Sequence, residues 1–348
     1  MKTQLLFAAL AVVLIAGCNR ESSTTGGTTT ASGSKSLKIV YIPKNTGNPY
    51  FDEVDRGFKD AAKELGADYT TIGPATADST SQLPIIKDQI QRGVDIIAIS
   101  VNSEDALDTT LEQARAKGII VVTVDSDLKD PRHRDAAVLP ADFNDIGPGQ
   151  VELLGKLTDY QGDFAILSAT SNAPNQNAWI EKMKETLKDP KYSKMKLVEI
   201  VYGNDDAAKS TTECEALLAK YPNLSGIISP TSVGLAAAAP VIQRAGVYPG
   251  GAKAVGKGLQ LTGLSTPAQL KKFVDQGIVN GFQLWEPYKE GYVAACIGQQ
   301  IKEGKVKPAA DTEVEIPTLG KRKFSAKTEL IGGDLITFDK SNIDKYKF

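Results

Sequence analysis

The polar residues with most chemistry in this chain stand in short clusters directly behind apolar, β-branched runs. Ile42 is followed by Lys44, Asn45 and Asn48 and by the aromatic pair Tyr50 and Phe51; Ser100 is followed by Asn102; Val124 is followed by Asp125, Ser126 and Asp127. The second half repeats the arrangement. Ser168 leads to Asn172, Asn175 and Gln176, Ser229 to Pro230, Thr231 and Ser232, Leu264 to Ser265, and Leu284 to Trp285. These groups suit a neutral polyol: a carboxylate or amide pairs with adjacent hydroxyls, which donate and accept at once, and an aromatic face covers the C–H face of a sugar ring. Plainer roles are open to the same residues. Asp125 and Asn102 can cap the helices that follow, Tyr50 and Phe51 can be core contacts of a helix, and Trp285 can be packing. Lys44 is harder to place otherwise, because a lysine at the turn off an apolar strand needs a carboxylate or a ligand.

Something must bring those clusters together, and the pattern between them shows what. Leu37 to Ile42 reads as a strand, Pro49 to Leu65 as a helix with proline in its first turn, and Tyr69 to Ile72 as the next strand. Helix Ser81 to Arg92, strand Ile96 to Ser100, helix Glu104 to Lys117 and the apolar strand Ile119 to Val124 continue the alternation. The second half offers strands at Asp163 to Ser168, Lys196 to Val201, Gly226 to Ser229, Leu261 to Leu264 and Val279 to Leu284. Helices at Asn177 to Leu187, Lys209 to Tyr221, Val233 to Ala245, Pro267 to Gln276 and Pro287 to Glu303 separate and follow them. This predicts an α/β fold of two doubly wound parallel-sheet lobes. In such sheets a ligand sits beyond the carboxyl ends of the strands, where the polar clusters stand.

Of the 348 residues, 41% are hydrophobic and 24% charged, the proportions of a folded chain, and the length predicts two domains. Lys plus Arg number 40 against 42 Asp plus Glu, and no stretch concentrates the basic residues, so nucleic acid is not an expected partner. One histidine and three cysteines exclude most zinc sites and most histidine-dependent triads. His133 itself lies in a polar stretch and reads as a solvated loop residue. There is no Walker loop, and Gly256-Lys257-Gly258 lacks the third glycine of a dinucleotide fingerprint, so neither an enzyme nor a bound cofactor is expected.

Met1 and Lys2, the apolar run Leu5 to Ile15 and the small residues that follow read as a signal peptide, 1–17, whose apolar stretch is too short to span a bilayer. Ile15-Ala16-Gly17 before Cys18 resembles the lipobox of bacterial lipoproteins, which implies lipidation of Cys18. The Ser/Thr/Gly tract that completes 18–35 reads as a flexible tether. The expected product is an exported lipoprotein, periplasmic or on the cell surface, that meets the membrane only through its lipid. Cys214 and Cys296 are expected to be buried and unpaired.

From Leu37 to Phe348 the chain resembles the type I periplasmic sugar-binding proteins of ABC importers. Asn48-Pro49-Tyr50-Phe51, Val122 to Asp127 and Leu284-Trp285-Glu286-Pro287 carry the likeness. Asn175 to Glu181, Tyr221 to Leu224, Pro230 to Gly234 and Ser341 to Asp344 are similar to the rhamnose-binding subgroup. The resemblance implies a monomeric protein that traps a sugar, L-rhamnose or a similar deoxyhexose, and presents it to an ABC permease. It also implies three crossovers, near Ala141 to Asn144, Trp285, and Ala309 to Thr312. One lobe would hold 36–142 and 286–310, the other 143–285 and 311–348. Lys44, Asn48, Tyr50, Phe51, Asn102 and Asp125 would meet the sugar from one lobe, Asn175, Gln176, Pro230, Ser232 and Ser265 from the other, with Trp285 at the crossover. The related autoinducer-2-binding proteins have a lysine and an aspartate matching Lys44 and Asp125. They carry an aspartate where this chain has Asn175 and an alanine where it has Ser232. A third reading, a sensor docking on a receptor, would use the same lobes.

Overall fold

The computed structural model describes residues 36–348, so the expected signal peptide, Cys18 and the tether lie outside the described residues. The first half runs β1 (Lys38–Ile42), α1 (Pro49–Leu65), β2 (Asp68–Thr71), α2 (Leu83–Arg92), β3 (Ile96–Ile99), α3 (Asp108–Ala116), β4 (Ile120–Val124) and β5 (Ala136–Leu139). The second runs α4 (Phe143–Thr158), β6 (Gln161–Ser168), α5 (Pro174–Thr186), β7 (Lys194–Tyr202), α6 (Ala207–Lys220), β8 (Gly226–Ser229), α7 (Ser232–Ala245), β9 (Gln260–Gly263), α8 (Pro267–Asp275) and β10 (Phe282–Leu284). Then come α9 (Pro287–Lys302) and four short strands, β11 (Glu313–Ile316), β12 (Gly320–Lys323), β13 (Glu329–Ile331) and β14 (Ile336–Phe338). No helix among the described residues is long and apolar enough to cross a membrane.

Local chemistry explains the first of these elements. Asn48 Oδ1 accepts from the Tyr50 amide at 3.1 Å, Pro49 presets the first helical turn, and Gly66 ends α1 in the left-handed region at φ 65. Strand pleating then sorts the first sheet into two faces. Tyr41, Ile96, Ala98 and Val122 turn to α1 and α9, while Val40, Ile97, Ile99 and Val121 turn to α2 and α3. α1 and α9 meet backbone on backbone: a Cβ at Gly57 would lie 2.0 Å from the Tyr288 carbonyl oxygen, and one at Gly291 2.0 Å from that of Val54.

The first sheet has the order β13-β5-β4-β3-β1-β2 and the second β7-β6-β8-β9, with β10 joined to β9 through the Leu264–Gln283 bridge. With β13 set aside and β10 counted as the fifth strand of the second sheet, the two orders are the same doubly wound pattern. The chain passes from the first sheet to the second at Pro140 to Asp142, returns at Trp285 and Glu286, and crosses again between β13 and β14. The last crossing departs from the expectation of Ala309 to Thr312. β13 pairs with β5, and Gly332 and Gly333 donate to the carbonyls of Leu139 and Pro140 at 2.7 and 3.0 Å, so 311–331 belongs with the first sheet.

Other departures have local causes. β5 and α4 carry weak patterns, because β5 has four residues and Gly147-Pro148-Gly149 reads as a breaker. Gly147 instead lets α4 approach α5, where a Cβ would lie 2.5 Å from the Trp179 carbonyl oxygen. α3 begins at Asp108 rather than Glu104 because Ser103 Oγ accepts from the Ala106 amide at 3.1 Å and holds a turn there. His133 is half-buried rather than solvated, with Nε2 3.6 Å from Asp108 Oδ2. Cys214 and Cys296 are free and buried in α6 and α9, and burial pushes both thiols up to about 12, which keeps them protonated.

Candidate functional site

The loops after β1, β3 and β4 carry Lys44, Asn102 and Asp125; those after β7 and β8 carry Asp205 and Pro230, and Asn175 stands in the first turn of α5, just past the loop after β6. In each sheet the strand order reverses, between β1 and β3 and between β6 and β8, and the two reversal points meet. Lys44 Nζ donates to Asn175 Oδ1 at 2.8 Å and lies 3.1 Å from Asp125 Oδ2, while Asn175 Nδ2 donates to the same carboxylate oxygen at 3.0 Å. The three buried side chains thus close a ring across the boundary between the halves. Around it, Ser232 Oγ donates to Asn48 Oδ1 at 3.3 Å, and Gln176 is held by its own half, donating to the Pro230 carbonyl at 2.5 Å.

Two carboxylates reach this place from strained backbone. Asp125 has φ 65 and Asp205 φ 51, in the left-handed region that costs a residue with a side chain about 1–2 kcal/mol. Neither is a helix cap. Asp205 accepts from Thr231 Oγ1; burial raises its carboxyl above the ordinary range, the Thr231 bond and the Lys44 ammonium oppose the rise, and Asp125 adds to it.

Tyr50 supports Asp125 from behind. Its hydroxyl lies 3.0 Å from Asp125 Oδ1 and 2.7 Å from Glu290 Oε1, and it accepts from Trp285 Nε1 at 2.9 Å. Burial, with the carboxyls of Asp125 and Glu290 beside it, raises the phenol well above its usual range. Tyr50, Phe51, Trp285 and Trp179 form an aromatic wall, with edge-to-face centroid distances of 5.1 Å for Tyr50–Phe51, 6.1 Å for Tyr50–Trp285 and 5.8 Å for Trp285–Trp179. The Trp179 indole N–H is buried without a protein partner.

These groups enclose about 40 Å³, room for about one or two waters. A larger ligand must therefore replace the bonds between the halves with bonds of its own. Of the residues expected at a ligand, Lys44, Asn48, Tyr50, Phe51, Asp125, Asn175, Gln176, Pro230, Ser232 and Trp285 all line this space. Asn102 and Ser265 do not. Asn102 Nδ2 donates back to the Lys44 carbonyl at 2.9 Å, and Ser265 Oγ to the Ser232 carbonyl at 3.3 Å, so each braces a lining residue from beneath. Asp205, Trp179, Thr231, Leu264 and Leu284 complete the lining, and Glu290 stands behind Tyr50. Asp205 follows β7 as Asp125 follows β4, a signal the strand-end rule could have used; nothing in the sequence marks Glu290. Larger hollows of about 590 and 600 Å³ lie at the amino ends of the second sheet and beside the crossings, but neither draws buried side chains from both reversal points.

Residues 39–305 match the periplasmic binding protein domain family. The chain belongs to that family. An ABC transporter solute-binding protein from Clostridium phytofermentas with bound L-rhamnose is 33% identical, with a TM-score of 0.84 over 90% of this chain and 98% of that one. The autoinducer-2 complex of LsrB from Clostridium saccharobutylicum, 23% identical, has a TM-score of 0.82 over 90% of this chain and 100% of that one, a likeness of fold. The D-ribose/D-allose-binding protein of Pseudomonas aeruginosa is 26% identical over 222 residues, 60% of this chain and 67% of the relative. This periplasmic binding protein is of the type I sugar-binding kind, and the family implies an extracytoplasmic location.

The chemistry of the binding protein's site fits its membership. Fixed donors and acceptors on two opposed loops, with an aromatic wall beside them, can hold a hydroxylated ring by hydrogen bonds and stacking. The ammonium of Lys44 and the carboxylate of Asp125 compensate one another, so a ligand need not bring charge.

Proposed function

We propose that this chain captures a neutral monosaccharide between its two sheets and hands it to an ABC permease, and that the sugar is L-rhamnose or a similar deoxyhexose. The observation that carries this reading is the Lys44–Asp125–Asn175 ring at the meeting reversal points. Its third member is an amide. An amide offers a sugar's hydroxyls both a donating NH2 and an accepting oxygen, whereas a second carboxylate would accept only. The aromatic wall and the apolar Leu264 and Leu284 give a deoxy carbon a surface to meet. The 33% identity with a rhamnose-bound protein supports the choice, and autoinducer-2 is the competing ligand. In this reading the exported protein is a monomer tethered through lipidated Cys18, and hinge closure about the three crossings presents the filled form to its partner.

Isothermal titration of the domain from Lys35 onward, with L-rhamnose, other deoxyhexoses, pentoses and autoinducer-2, tests it. The expected result is a Kd on the order of 1 μM or tighter for a deoxyhexose. Tighter binding of autoinducer-2 than of any sugar overturns the choice of ligand.

A further inference from the structure

The Tyr50 hydroxyl is crowded in a way that fixes where one proton must be. It has one hydrogen and two lone pairs, and three neighbours compete for them: the Trp285 indole, which only donates, and the carboxyls of Asp125 and Glu290. Trp285 takes one lone pair. The single hydrogen can go to one carboxyl, so the other must donate to the remaining lone pair or face it as a buried, unpaired acceptor. Asp125 is compensated by the Lys44 ammonium and by Asn175 Nδ2. Glu290 is fully buried, and its second oxygen, Oε2, has no partner.

We infer that Glu290 is a neutral acid that donates to Tyr50, so that Tyr50 donates to Asp125 and holds that carboxylate in the orientation in which it meets a ligand. Glu290 is thus a positioning residue that touches no sugar; the inference rests on the reading of Asp125 as a ligand-gripping group. The groups facing Glu290 come from several elements, with Trp285 at the second crossing among them. β1 presents Tyr41 and, beyond it, Lys44; α1 presents Tyr50; the loop after β4 presents Asp125; the third crossing presents Gly332, whose Cβ would lie 3.1 Å from Glu290 Cγ. Of these only Lys44 is a cation, and it is engaged by Asp125 and Asn175. Burial first, then the Asp125 charge, raise the Glu290 carboxyl well above the ordinary range, while the contacts with Tyr50 and Trp285 and the Lys44 charge oppose the rise. When Glu290 loses its proton, Tyr50 must turn its hydrogen from Asp125 to Glu290, and the ligand meets a carboxylate without its brace.

The experiment uses the full chain in detergent. Infrared difference spectra between wild type and E290Q should show, at neutral pH, one neutral carboxylic acid that vanishes with the substitution and ionises on the alkaline side. Titration with L-rhamnose across the same range should show wild-type affinity falling by up to about tenfold per pH unit above that ionisation. E290Q, whose amide can still donate to Tyr50, should bind within about threefold of wild type at neutral pH and lose the pH dependence. E290L, which cannot donate, should bind about tenfold more weakly. Absence of the neutral acid overturns the inference, and so does a pH profile in E290Q that matches wild type. If no sugar binds, the proposed function falls, and the infrared band alone still decides the state of Glu290.

Discussion

The two walls of the site stand on sheets of the same strand order and solve the same problem with different chemistry. The first wall is ionic: Lys44 and Asp125 face each other, braced by Tyr50 and Glu290. The second is built mainly of neutral groups, the Asn175 and Gln176 amides, the Pro230 carbonyl and the Ser232 hydroxyl, with Asp205 its one carboxylate. A shared topology therefore sets where side chains emerge, while the loop residues decide what they do. The difference also assigns tasks. Charged groups with compensating partners grip hydroxyls strongly, and amides read which hydroxyl is donor and which acceptor.

The sharpest way to break the comparison is Asp125→Ala. It leaves the Lys44 ammonium buried without its counter-ion, and L-rhamnose affinity should fall about a hundredfold or more by titration calorimetry, with the circular dichroism spectrum kept. Asn175→Asp makes the second wall ionic as well. Sugar affinity should drop about tenfold, and autoinducer-2 should gain in the same assay; unchanged selectivity would mean that the amide does not choose the ligand. Asp205→Asn sharpens the comparison through stability. The folded-state carboxyl is raised, so its contribution is whole below the unfolded value and is lost as pH rises through the folded one. Above about pH 4, where the unfolded carboxyl ionises, wild type should lose melting temperature that the Asn variant keeps, by about 2 °C in scanning calorimetry. Smallest is Ser265→Ala, which removes a brace beneath Ser232 and should weaken binding by about twofold to threefold.

Where a residue's role is local, the sequence shows it. Asn48 and Pro49 start α1 and Gly66 ends it where the pattern places them, and Asp125 follows β4 at the edge where open sheets bind ligands. What a strand-end side chain does from there is a tertiary matter. Asn102 and Asp125 occupy comparable positions after neighbouring strands, yet Asn102 turns back beneath Lys44 and Asp125, through its left-handed backbone, turns inward. Asp205 was within reach of the same rule. Glu290 lies inside a helix among residues buried by α1, and only the fold brings it to Tyr50. The third crossing hides for a similar reason: β13 has three residues, and its pairing with β5 is nearly two hundred residues distant in sequence.

The glycine contact between α1 and α9 bears on how the protein waits for its ligand. Tyr50 and Glu290 are separated by 240 positions, yet each rides on a helix that Gly57 and Gly291 lock to the other at backbone distance. Parting the sheets in the proposed hinge motion separates Asn175 from Lys44 and Asp125, and leaves Tyr50, Glu290 and Asp125 together on the first sheet. Half of the site is preorganised before anything arrives. The entropy of ordering that half is met during folding rather than at each capture, so an arriving sugar has only the second wall and the hinge left to set.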